Sequence, residues 1–136
     1  MELAIDEALH SNEPLKCGVV ITRDDIVIAK QHNSQRLSND ATSHAEIRAV
    51  RKAGQKLQNK NLNGCTAFCT CEPCIMCLSA LCFAKIDKLF YGLSLKDVSP
   101  KEKSISIDIY TFLKEAPYKF EVVKNFMKDE CKKTLL

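Results

Sequence analysis

Two short stretches carry the side chains that could do chemistry. Pro73-Cys74-Ile75-Met76-Cys77 sets two thiols three residues apart, and Ser43-His44-Ala45-Glu46 lies upstream with an imidazole and a carboxylate. At the start of a helix, residues i and i+3 share a face, so Cys74 and Cys77 can grip one soft ion. The positive end of the helix dipole favours their ionised form. Pro73 is expected at the first helical position, where its missing N–H costs nothing. One His and two Cys make three protein ligands, which leave the fourth position of a zinc ion open for chemistry. His44, Cys74 and Cys77 meet that specification if two helix N-termini converge. Glu46, two residues beyond His44, then reaches the open position and can carry protons.

Each motif also has a structural explanation. Ser43 to Glu46 spells a capping box, in which Glu46 merely bonds the backbone at the helix start. Cys71, Cys74 and Cys77 are spaced as an iron–sulfur run begins, and Cys71 could close the site as a fourth, structural ligand. A ferredoxin-type run would want Pro after its next cysteine, whereas Phe83 follows Cys82. Cys71 also falls at a strand end, ahead of the helix that holds the other two. A non-catalytic zinc or iron–sulfur binding module is the reading from another class. Cys17, Cys65, Cys69, Cys82 and Cys131 read as core-filling thiols.

The elements that must position these residues follow from the apolar pattern. Leu3, Ala4, Ile5, Ala8 and Leu9 make a short helical stripe that ends near Asn12-Glu13-Pro14. Cys17–Thr22 and Ile26–Ala29 read as strands joined by a turn at Asp24-Asp25. Residues 31–42 are polar and read as a loop. A second helix starts at Thr42 or Ser43, buries Ala45, Ala49, Val50 and Ala53, and is expected to end at Gly54 as C-cap. Cys65–Thr70 is a third strand, Pro73–Ala84 a helix and Lys88–Gly92 a fourth strand. Strand, helix, strand over this span is a βαβ unit with a parallel pair. Residues 94–104 carry no readable pattern. Ile105–Glu115 reads as a helix, Phe120–Val123 as a fifth strand, and Phe126–Thr134 as a terminal helix. The expected architecture is a three-layer α/β domain, one five-stranded mixed sheet with helices on both faces.

With 136 residues, 46% of them hydrophobic, the chain suits a single domain over 1–136 with its own core. The net charge of +3, from 20 basic and 17 acidic residues, does not by itself indicate nucleic acid and favours a small substrate. Two basic stretches bear on RNA. Arg48, Arg51, Lys52, Lys56 and Lys60 lie along the second helix and beyond it. Lys124, Lys128 and Lys132 are spaced by four, which puts them on one face of the terminal helix, with Lys133 beside them. A solvated helix face explains either stretch as well. No apolar run reaches about 18 residues, so no membrane span is expected, and the acidic start is not a signal peptide. Eight cysteines, six of them clustered from Cys65 to Cys82, without a secretion signal point to a reducing, cytoplasmic setting.

The chain resembles the cytidine deaminase superfamily, and within it the purine branch that includes guanine deaminase and the tRNA adenosine deaminase. The resemblance rests on His32-Asn33, on Asn39-Asp40-Ala41-Thr42-Ser43-His44-Ala45-Glu46, and on Cys71-Glu72-Pro73-Cys74-Ile75-Met76-Cys77. The order of elements up to Gly92 also matches. The resemblance implies a cytidine deaminase-like α/β/α domain, zinc held by His44, Cys74 and Cys77, and Glu46 as proton carrier. It also implies that Asn33 hydrogen-bonds the substrate, that the backbone at Ala45 helps read the base, and that the protein is a homodimer. The implied activity is hydrolytic removal of an exocyclic amino group from a nucleobase or nucleoside, a guanine-type purine, with adenosine in tRNA as the alternative. Phe126 to Cys131 is similar to the tRNA enzymes, and Cys71 before Glu-Pro-Cys to the guanine enzymes. The tail Thr134-Leu135-Leu136 lacks the aromatic residues that close the guanine site.

Overall fold

The computed structural model describes residues 1–98 and 104–136. The elements run α1 (Glu2–Leu9), β1 (Gly18–Arg23), β2 (Ile26–His32), α2 (Gln35–Ser38), α3 (Ala45–Leu57), β3 (Cys65–Cys71) and α4 (Ile75–Phe83). They continue with β4 (Lys88–Leu93), α5 (Leu95–Val98), α6 (Ile109–Glu115), β5 (Glu121–Val123), α7 (Lys128–Cys131) and a closing 3-10 turn (Lys132–Leu135). The strands form one mixed sheet in the order β2-β1-β3-β4-β5. The β1–β2 and β1–β3 pairs are antiparallel, and β3–β4 and β4–β5 are parallel.

The turn between β1 and β2 works as its sequence suggests. Asp24 and Asp25 both take positive φ, 50° and 61°, the twist that suits a two-residue hairpin. The pleat then sorts side chains by face. Val19 and Ile21 of β1 join Ala45, Ala49 and Ala53 of α3 in the larger apolar cluster. Gly18, between them and the loop, turns toward α1, where an added Cβ would lie 2.0 Å from the Ala4 carbonyl oxygen. Likewise Leu89 and Tyr91 of β4 pack with Leu78 and Leu81 of α4, while Gly92 faces Cys131 of α7. So α3, α4 and α6 cover one face of the sheet, and α1 and α7 the other. These are the three layers expected of an α/β/α deaminase-like domain.

Several expected boundaries move. The second helix does not end at Gly54: it runs on to Leu57, and Gln58 supplies the left-handed C-cap with φ 49°. The polar stretch 31–42 is not all loop, since β2 extends to His32 and α2 adds one turn closed by left-handed Asn39. The terminal helix from Phe126 does not form. Asn125 and Met127 both take positive φ, so α7 starts only at Lys128 and tightens into the 3-10 turn. The expected alignment of Lys124 with Lys128 and Lys132 therefore fails. Lys124 sits over the Tyr110 ring, Lys128 pairs with Asp97, and Lys132 pairs with Asp129. The helix expected from Ile105 starts at Ile109, because Asp108 accepts the N–H groups of Tyr110 and Thr111 as N-cap. Of the unreadable stretch 94–104, residues 99–103 lie outside the described residues.

Candidate active site

His44 and Cys74 are each the N-cap of a helix, α3 and α4, and neither side chain caps its own helix. Both are extended in backbone, with ψ of 154° and 170°, which turns them toward each other across the α3–α4 contact. Cys77 follows on the first turn of α4 and is fully buried. Pro73 is thus not the first helical residue; it lies just ahead of the Cys74 cap, buried, and Ile75 opens the helix.

The three donors form a compact triangle. His44 Nδ1 lies 3.8 Å from Cys74 Sγ and 3.6 Å from Cys77 Sγ, and the two sulfurs are 3.7 Å apart. A tetrahedral zinc with Zn–S of about 2.3 Å and Zn–N of about 2.0–2.1 Å would set S···S near 3.8 Å and S···N near 3.6 Å. The donor set fits zinc in both chemistry and spacing. Among the described residues this is the group of His, Cys, Asp and Glu whose ligand atoms converge, and Cys71 is not in it. The reading of Cys71 as a fourth ligand or as part of an iron–sulfur run has no geometric support.

The thiols are strongly coupled. Cys74 is pulled down to about 4, first by its contact with Cys77 and then by His44. Cys77 is pushed up, because it shares that contact, is buried and faces Glu46. A bound dication would deprotonate both.

Glu46 sits on the first turn of α3, 5% exposed, with Oε2 3.4 Å from Cys77 Sγ. The capping box does not form. The N-cap is His44 rather than Ser43, and the Ser43 N–H donates to the Asp40 carbonyl instead. Glu46 is left beside the metal donors, and burial pushes its carboxyl above the usual range. A buried carboxyl with a raised pKa can both take and return a proton near neutrality.

A cavity of about 220 Å³ lies over this cluster, and Asn33, Ala45 and Glu46 line it. Asn33, at the end of β2, is buried and held at both ends of its amide. Its Oδ1 accepts the Cys17 N–H at 2.9 Å, and its Nδ2 donates to the Leu15 carbonyl at 2.8 Å. One Nδ2 hydrogen and one Oδ1 lone pair remain for a ligand. Ala45 is the first residue of α3, so its N–H is one of the donors a helix cannot satisfy itself.

Sequence reading missed part of the wall. Leu15, Leu95, Val98 and Ile105 give it apolar surface, and none of the described lining residues is Phe, Tyr or Trp. Glu72 also lines it and accepts the Leu95 N–H at 3.0 Å, which ties the segment after β4 to the approach of α4. Its place directly before Pro73-Cys74 was the available signal. Cys17, expected in the core, and Cys71, weighed as a fourth ligand, line the cavity as well.

A mixed sheet that sets one imidazole and two thiols at paired helix starts defines the cytidine deaminase-like class. A solved tRNA:A34 deaminase, which carries out A-to-I editing at the wobble position of transfer RNA, superposes with a TM-score of 0.86. That match has 33% identity over 99% of this chain and 97% of the other. The MafB19-like deaminase family model matches residues 2–130, and the chain belongs to that family. It is 32% identical to the tRNA-specific adenosine deaminase of Buchnera aphidicola subsp. Schizaphis graminum, over 99% of this chain and 88% of that protein. It is 40% identical to the guanine deaminase of Bacillus subtilis, over 60% of this chain and 53% of that enzyme. Alignments with two further relatives cover 62% of each of them. Membership makes the chain a deaminase of the nucleobase or nucleoside type.

Proposed function

We propose that this chain is a zinc-dependent hydrolytic deaminase whose substrate is adenosine in transfer RNA, converted to inosine with release of ammonia. The observation that carries the reading is the convergence of His44, Cys74 and Cys77 on one point beside buried Glu46, at the wall of a cavity. Zinc held by that triad supplies Lewis acidity and brings the pKa of water from 15.7 to about 7. Glu46 takes a proton from the attacking water and returns it to the ring nitrogen. It then takes the second proton, from the hydroxyl now on the ring carbon, and delivers it to the amine as the C–N bond breaks and the carbonyl forms, so ammonia leaves. Asn33 and the Ala45 N–H orient the base, and Leu15, Leu95 and Val98 exclude water around it.

The choice of substrate is supported by extent of similarity. The Buchnera enzyme and the tRNA:A34 deaminase align over 99% of this chain, whereas the Bacillus guanine deaminase aligns over 60% of it. A guanine-type free purine is the second reading, supported by the 40% identity to the Bacillus guanine deaminase over that shorter span. One deaminase domain over 1–136, a homodimer and a cytoplasmic setting belong to the same proposal. All eight cysteines are free thiols. No helix among the described residues is long and apolar enough to cross a membrane.

The test is zinc-loaded protein incubated separately with tRNA, adenosine, adenine, guanosine, guanine and cytidine, with product read by mass spectrometry and ammonia measured. Inosine in tRNA is the expected product. Ammonia from guanine without inosine in tRNA would install the second reading. Fully zinc-loaded protein that turns over none of them would overturn the enzyme reading.

A further inference from the structure

Leu95 and Val98 belong to the cavity wall, and α5, the single turn that carries them, is shaped and placed by different bonds. Its shape is set locally. The Ser94 N–H and hydroxyl both donate to Asp97 Oδ2, at 2.8 and 2.6 Å, and the Asp97 N–H returns to the Ser94 carbonyl at 2.9 Å. A reciprocal cap of this kind fixes the form of a turn and travels with it. Where the turn sits depends on bonds from outside. Among the described residues, side chains from two other places supply them. Lys128 of α7 pairs with Asp97 at 2.9 Å, between side chains that are both partly exposed. The second is Glu72, whose Oε2 accepts the Leu95 N–H at 3.0 Å.

Glu72 is itself tied to the site. Its N–H donates to the Leu93 carbonyl at 2.6 Å, so it grips the exit of β4 twice, just beyond the last β3–β4 pair, Cys71↔Leu93. It stands two residues before Cys74, with buried Pro73 between them. The carboxylate therefore measures the wall from the start of the metal-binding helix. Glu72 lines the cavity but is outside the group of converging metal donors. Val98, at the other end of α5, is buried against Leu15 and Leu93. A shift of α5 would move both apolar wall residues together.

We propose that Glu72 is a positioning residue: by accepting the Leu95 N–H it holds the α5 wall at the distance from the metal donors that the substrate's base requires. It acts through reach and an acceptor oxygen, and its charge has no part in the chemistry. With the bond made, the wall is in place before substrate arrives. Without it, α5 is displaced in part of the molecules, and apparent affinity falls with the fraction that remains competent. A hydrogen bond to a charged acceptor is among the stronger ones in a protein, so that fraction is expected to drop about 10-fold. On the deaminase reading, on which this consequence rests, KM rises by that factor. The value of kcat holds, because bound substrate meets only the placed wall.

Three substitutions in the zinc-loaded full chain separate reach from charge. Glu72→Gln keeps the length and the acceptor oxygen and loses the charge. Glu72→Asp keeps the charge and falls one methylene short of Leu95. Glu72→Met loses both. Exchange of the Leu95 amide, followed by NMR with no substrate present, reads the bond itself. It is expected to quicken about 10-fold in Glu72→Asp and Glu72→Met and to stay parental in Glu72→Gln. Inosine formation in tRNA then gives the kinetic split. KM should rise about 10-fold in Glu72→Asp and Glu72→Met with kcat within about twofold of the parent, and Glu72→Gln should rescue KM. If Glu72→Met does not fold, the Asp and Gln variants alone carry the comparison. Parental protection of Leu95 in Glu72→Asp would overturn the proposal. So would a fall of kcat in Glu72→Gln that Glu72→Asp escapes, since charge would then be the working property. Absence of turnover on tRNA in the parent would count against the substrate reading, and amide exchange at Leu95 would still decide the role of Glu72.

Discussion

Glu46→Gln keeps the shape of the side chain and removes its ability to carry protons. Glu46 is 5% exposed beside Cys77, and burial raises its carboxyl. The Ser43 N–H, which a capping Glu46 would have bonded, is already taken by Asp40. Stability of the zinc-loaded variant is therefore expected within about 1 kcal/mol of the parent, the range of an ordinary non-disruptive change. Turnover should behave differently. One general acid–base group contributes about 10²–10⁴-fold, and Glu46 serves successive transfers, so a loss at or above about 10⁴-fold is expected. Single-turnover assays with saturating substrate separate this from binding, with zinc content and a thermal melt run on the same preparation. Near-parental turnover with a melting temperature lowered by the roughly 1 kcal/mol of a lost cap would refute the reasoning and restore the helix-start role.

Two further changes test the fold around the site. In Gly18→Ala the new Cβ would meet the Ala4 carbonyl at 2.0 Å and the Ala8 nitrogen at 2.6 Å. Both are backbone, so α1 must lift, and a loss of about 3 kcal/mol is expected in chemical denaturation, the upper part of the overpacking range. Gly92→Ala meets the Cys131 side chain, with its Cβ at 2.8 Å, and the Thr70 carbonyl at 3.0 Å; Sγ can turn but Cβ moves only with α7, so a loss of about 2–3 kcal/mol is expected. Asp97 is held down at about 2, first by the Ser94 hydroxyl and then by Lys128. Its folded value lies below the ordinary value of about 3.9, so its stabilisation is complete above about pH 4 and is lost as pH falls toward 2. Asp97→Asn is expected to cost about 1 kcal/mol at pH 7 after solvent screening, with the gap from the parent closing below about pH 4 in urea melts.

What could be read in advance was what chemistry and period dictate. The apolar runs of β1, β3 and β4, the Asp24-Asp25 turn and the βαβ span each rest on local pattern, and each formed. His44, Cys74 and Cys77 were legible because few other roles need those residue types at two helix starts. The misplaced boundaries were set by contacts beyond the local window. Gly54 looked like a C-cap, but Leu57 packs against the core and draws α3 onward to Gln58. Pro73 looked like the first helical residue, but the main chain of Glu72 bonds Leu93 across the sheet, which leaves the helix to open at Ile75. The cysteines flanking the site were the hardest to place. Cys17 read as core filling and Cys71 as a possible fourth ligand, and only the folded chain puts both in the cavity wall.

The central claim is an open three-ligand zinc centre on this chain. X-ray absorption at the zinc edge, on protein whose metal content is measured by elemental analysis, tests it most directly. About one zinc per chain is predicted, with two sulfurs near 2.3 Å, one nitrogen near 2.0–2.1 Å and a light fourth ligand. Iron with acid-labile sulfide, or a zinc shell with a third sulfur from Cys71, would contradict the account.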